Sequence, residues 1–166
     1  MFQNHRINMR FRCLSKEELQ ELDSELIQFL IVNQVYKEDW ALMNQESPKK
    51  AKELIEMFSD VVLEKVYNKV FFLERQVPKQ VCVCSLSDSS GEMITIEAIE
   101  EGIDLTKEDV VDECLLISPS KITIYHGKKA FKNTKADEVF LLLNHGFLVS
   151  SEERFKNVSQ HIIQST

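Results

Sequence analysis

Four carboxylates, Glu53, Glu56, Asp60 and Glu64, recur at spacings of three and four. On a helix this puts them on one side. Such a row of oxygens can hold a divalent cation if a second element faces it with further ligands. The competing reading is a solvated face paired with Lys49, Lys52 or Lys65. Asp60 is the member to test, because it precedes the most apolar part of its segment and is expected to be half-buried. If the chain has a site, the place to look is where Asp60 and Glu64 give way to Tyr67 and Phe71.

Other chemistry-bearing residues are scattered. Cys82 and Cys84 sit two apart on a strand-like stretch and point the same way, but no second Cys or His pair completes a zinc site. A nucleophilic thiol needs a neighbouring cation or helix N-terminus, which spacing cannot reveal. Reduced thiols in a cytoplasm are the expectation for all four cysteines. His5, His126, His145 and His161 form no His-x₃-His or Glu-x-x-His pair, and His145 reads as a helix-terminal residue favoured by the dipole. The four glycines are too dispersed for a phosphate-cradling loop.

Charge is uneven along the chain. Glu97 to Glu113 contains eight acids and one lysine, and Cys114 to Ala136 contains five lysines and no acid. The lysines, Lys121, Lys128, Lys129, Lys132 and Lys135, can meet an acidic partner or phosphates, or pair with the acidic segment. Lys128 and Lys129 are the pair to probe. The net charge of −7 argues against broad binding to nucleic acid or an anionic membrane. No apolar run reaches the length of a membrane span, and the N-terminus lacks the order of a signal peptide. At 166 residues, 43% hydrophobic and 28% charged, the chain is a globular protein of one domain or two small halves sharing a core.

The elements that must position these residues follow from periodicity. Ser47-Pro48 starts a long helix read as far as Leu73, with Ala51, Ile55, Phe58, Val62, Val66, Val70 and Leu73 on one stripe. Ser59-Asp60 is its weak point. Ser15-Lys-Glu-Glu18 is a capping box opening an earlier helix to Val32, with Leu14 and Leu19 as a hydrophobic staple and Asn33 as a left-handed terminator. A short helix over 36–45 carries Tyr36, Trp40 and Met43. Residues 1–13 read as a loosely ordered N-terminal extension, the first eight without any periodicity, and Met9 offers an alternative start. Residues 14–76 then form a helical unit, and 77–166 an α+β unit beginning at Pro78. Its strands are 81–86, 93–99 and 121–125, the last ended by His126-Gly127, with a doubtful fourth at 147–149. Helices open at Thr106, Thr134 and Glu152. The fold class is α+β: a three-helix N-terminal unit whose long helix packs on a small, mostly antiparallel sheet with C-terminal helices.

The block Leu14-Ser-Lys-Glu-Glu-Leu19, Phe29-Leu30, Trp40, Pro48 with Ala51, Phe58-Ser59-Asp60, Lys65-Val66, Lys69-Val70 and Leu73-Glu74 resembles a family of small uncharacterised bacterial proteins, a domain of unknown function. Members begin near the equivalent of Met9. The second half resembles it more loosely, through Val139-Phe140, Leu142 and Gly146. The resemblance implies no activity, cofactor or partner. The function expected from the residues is a non-catalytic cytoplasmic interaction or adaptor module with a protein partner and no cofactor. The alternatives are a carboxylate-based metal-binding protein or enzyme using the long helix, and an RNA- or ribosome-associated factor using residues 121–135.

Overall fold

The computed structural model describes residues 8–107 and 109–163. The chain divides into two compact units between Val66 and Tyr67.

In the first unit the helices are α1 (Lys16–Glu21), α2 (Asp23–Val32), α3 (Lys37–Glu46) and α4 (Pro48–Asn68), whose last two residues, Tyr67 and Asn68, belong to the second unit. The Ser15 capping box forms: Ser15 Oγ accepts the Glu18 N–H and the Glu18 carboxylate accepts the Ser15 N–H. Arg12 grips the same carboxylate with both Nη groups at 2.7 Å and holds its pKa down at about 2, with the Ser15 N–H helping. The expected single helix to Val32 is interrupted at Leu22, where ψ is 24°. Asp23 and Ser24 favour a fresh first turn over continuation. The left-handed residue after α2 is Gln34 (φ 61°), whereas Asn33 instead donates its side-chain amide to the Phe29 carbonyl. Phe11, Leu14, Leu30, Val35, Ala51, Phe58 and Leu63 are buried, and the Phe29 and Phe58 rings meet at 5.4 Å.

The long helix ends at Asn68, not at Leu73. Phe72–Val77 is instead the first strand, β1, within the stretch read as helical above. Val66, Val70 and Leu73 fit a helical stripe by coincidence. The run Val70-Phe71-Phe72-Leu73 is β-branched and aromatic, and Leu73, Arg75 and Val77 alternate with Phe72, Glu74 and Gln76. Val66 and Phe71 are half exposed, so the helix end is not enclosed all round.

The second unit holds β1, β2 (Gln80–Leu86), β3 (Ser90–Ala98), α5 (Val110–Leu116), β4 (Ile122–Ala130), α6 (Lys135–Asn144), β5 (Leu148–Val149) and α7 (Glu152–Ile163). With the helices, this is the α+β class. The five strands make one antiparallel sheet in the order β4-β3-β2-β1-β5. Pro78 lies in the β1–β2 turn, because Val77 pairs with Gln80. β4 runs past Gly127 to Ala130.

Alternation sorts the sheet into two faces. Val81, Val83, Ile94, Ile96, Ile122 and Ile124 share one, since Val83 stands opposite Ile94 and Ile96 opposite Ile124. Leu105, Val111, Cys114 and Val158 close a core over that face. Glu92, His126 and Lys128 belong to it too, at its margin. Cys82, Cys84, Met93, Thr95, Tyr125, Gly127 and Lys129 lie on the other face. Gly91 is needed there for close approach: a Cβ would come within 3.1 Å of both Leu86 and Phe131.

Candidate functional site

The second face of the sheet carries a cleft of about 400 Å³. Its floor is Cys84, Met93 and Thr95, its near wall is Tyr125 and Gly127 on β4, and α6 supplies Glu138 and Leu142. Thr134 positions α6: its Oγ accepts the Asp137 N–H at 3.3 Å, and Asp137 accepts the Thr134 N–H at 3.2 Å. With that start fixed, Glu138 and Leu142, four apart, share one helix side. Glu138 is buried and takes Lys129 Nζ at 2.9 Å, so one ion pair closes one end of a mostly apolar space.

The surroundings of Cys84 disfavour its thiolate. Burial, reinforced by the neighbouring Cys82, pushes its thiol up to about 12. A group that far above neutrality carries almost no thiolate. Glu92 and His126 border the same space with their backbone, but the register turns their side chains to the opposite face. There His126 Nε2 lies 2.6 Å from Glu92, which also meets Lys128 at 3.3 Å.

Two other lysines of the basic segment also have partners within the chain, and Lys132 is exposed. Lys121 lies 3.8 Å from Glu100. Lys135 is buried with Nζ 3.4 Å above the Phe71 ring and 3.0 Å from the Asn68 carbonyl that ends α4. Tyr67 is buried and its ring stacks on Phe140 at 6.0 Å. Tyr67 and Phe71 therefore pack on side chains of α6 within the second unit.

Asp60 and Glu64 do different work in the first unit. Asp60 accepts the Arg10 N–H at 2.8 Å and the Phe11 N–H at 2.9 Å. Glu64 takes Arg10 Nη1 at 2.8 Å. Ser59, fully buried, accepts the Leu14 N–H at 3.1 Å while donating to the Ile55 carbonyl at 2.7 Å. The supposed weak point of the helix is thus a dock for residues 10–14. Residues 9–13, expected to be loose, are held there with Phe11 buried, and residues 1–7 of that extension, His5 and Arg6 included, lie outside the described residues. Glu56 meets Lys52 at 3.7 Å. Among the described residues no three His, Cys, Asp or Glu side chains are grouped to hold a metal.

This reassigns the Asp60 test. Asp60→Ala should cost about 1 kcal/mol, because two backbone donors lose a charged acceptor to partial solvent. Hydrogen exchange at Arg10 and Phe11 should accelerate at least fivefold, and unchanged protection there would refute the docking role.

A family model covers residues 9–163. The chain belongs to the DUF6495 family. That is a family of unknown function, and its model begins at Met9, the residue before the segment docked on α4 through Arg10 and Phe11. No curated protein and no solved structure matches the chain. No helix among the described residues of this DUF6495 chain is long and apolar enough to cross a membrane.

Of the cleft residues, Cys84 was weighed from sequence only as a thiol and Leu142 only in the family resemblance, and Met93, Thr95, Tyr125 and Glu138 were not singled out as site residues. The signal was present in part: Met93, Thr95 and Glu97 alternate with the inward Ile94, Ile96 and Ala98, so a second, less apolar face was implied. Which helix covers it depends on contacts distant in sequence.

Proposed function

We propose that this protein is a non-catalytic interaction module of the cytoplasm, and that the cleft between α6 and strands β2–β4 receives an apolar side chain of a protein partner. The observation that carries this reading is the cleft itself: apolar walls from Met93, Leu86 and Leu142, a single ion pair at one end, and a thiol held protonated. Concave apolar spaces with few polar groups suit binding. Four free cysteines, three of them buried, favour a reducing compartment. The internal pairing of Lys121, Lys128 and Lys129 favours a protein partner over RNA.

Thr95→Trp tests the reading by filling the cleft from its floor. Affinity capture from the native cell, after nuclease treatment, should recover a partner with the wild type and at least tenfold less with the variant, at equal melting temperature. Equal recovery with both would remove the cleft as the docking site.

A further inference from the structure

The edge of the sheet at β4 is open, and its geometry points to one occupant. Ile99 N–H donates to Lys121 O at 2.9 Å and Phe131 N–H to Ser89 O at 2.8 Å, both in the β3–β4 register. Odd-numbered residues of β4 therefore turn their backbone groups to β3. Those of Ile124, His126, Lys128 and Ala130 turn outward, and among the described residues no loop or turn backbone group pairs with them. Ile122 is excluded, because its N–H is taken by Pro119. The four open residues are symmetric about Gly127.

Gly127 lines the cleft wall, but packing within its own chain does not require a glycine there. Its φ lies outside the left-handed range, and a Cβ added there would meet nothing within 4 Å. Glycine inside a strand weakens it and often marks the approach of another backbone. The edge also lacks the usual protections against strand addition. It has no proline, its register to β3 is unbroken, and each of its two lysines has an acidic neighbour, Glu92 or Glu138, that offsets its charge.

We propose that β4 pairs antiparallel with β4 of a second copy of this chain, about a two-fold axis at Gly127. Ile124 then exchanges hydrogen bonds with the second copy's Ala130, and His126 with the second copy's Lys128. With their symmetry mates these give about eight main-chain bonds. The two Gly127 residues face each other as a non-hydrogen-bonded pair, about 4.5 Å apart at Cα. On the cleft side Tyr125, half exposed, stands opposite the second copy's Lys129, an aromatic–cation match. On the other side the second copy's Lys128 comes beside His126, and Glu92 flanks both side chains. The contact is isologous, as in most dimers, and small, so self-association is expected at roughly 10–100 μM. Tyr125, Gly127 and Lys129 also line the cleft, so this inference shares that wall with the reading above, but it rests on the backbone of the sheet edge and not on what fills the cleft.

The test uses the full chain in a Cys13→Ser background, which removes the exposed thiol. Sedimentation equilibrium should show a monomer–dimer transition. Gly127→Cys should cross-link into a disulfide dimer under mild oxidation at least tenfold faster than Lys129→Cys, which faces Tyr125 and not its own copy. Lys128→Pro removes an outward donor without touching the β3 ladder and should weaken dimerisation at least tenfold. Tyr125→Ala, which leaves the backbone alone, should weaken it threefold or more and covers the case in which the proline variant misfolds. A monomer at about 500 μM, a value well above the expected range, overturns the proposal. So does a dimer whose Gly127→Cys and Lys129→Cys forms cross-link equally fast.

Discussion

Replacing Ile96 with alanine is expected to lower the unfolding free energy by about 3 kcal/mol. Ile96 is fully buried at the centre of the sheet, flanked in register by Val81 and Ile124 and covered by Leu105, Val111 and Val158. The neighbouring strands hold its surroundings in place, so the space left by the lost methyl groups cannot collapse. The check is urea unfolding followed by far-UV circular dichroism, with the midpoint lowered and the slope unchanged. Fluorescence is the wrong probe, because the single tryptophan, Trp40, belongs to the other unit. Thr95→Ala, one residue away on the opposite face, should cost under about 1 kcal/mol. A comparable loss at both positions would contradict the assignment of faces.

Lys135→Ala should cost about 2 kcal/mol. The side chain is buried, donates to the carbonyl that closes α4 and lies over the Phe71 ring. Truncation removes that packing and leaves the Asn68 carbonyl without its donor. Burial depresses the ammonium pKa below its ordinary value, with Asp88 opposing the shift. The folded state therefore releases its proton at lower pH than the unfolded chain. Between those two values the unfolded chain binds more protons, so stability rises with pH. Compared with Lys135→Met, the wild type should gain relative stability as pH climbs toward the ordinary lysine value of 10.5. A wild type that loses ground over that range would show the ammonium to be net favoured by folding.

The α+β class was legible because several signals were local. Ser15-Lys-Glu-Glu18 is a cap written in four residues and it forms, as does the cap at Thr134, but the opening at Thr106 does not: Thr106 donates to Asp104 and α5 begins at Val110. The alternation through Ile94 and Ile96 located β3 and its inward side. Errors arose where two periods agreed by chance. Val66, Val70 and Leu73 satisfied a helical spacing that the chain abandons at Asn68. Gly127 was read as a strand end, but backbone pairing to Met93 carries β4 through it. Asp60 and Ser59 were read through their own helix alone. Their roles come from partners 45 to 50 residues away. The cleft was invisible for the same reason, since strand register and the placement of α6 bring its walls together.

The order of strands in the sheet also bears on how the second unit assembles. β1, β2 and β3 follow one another through two short turns, so their pairing closes only small loops, and isolated hairpins form on the microsecond scale. The remaining pairings are non-local: β4 joins only after residues 99–121 have been looped out, and β5 adds beside β1 from far along the chain. Loop closure of that kind slows folding. A three-stranded meander carrying Val81, Val83, Ile94 and Ile96 is thus the natural nucleus. Until β4 and β5 arrive, β3 and β1 are the open edges, and the longer vacant ladder, that of β3, carries most of the risk of mispairing in a crowded solution.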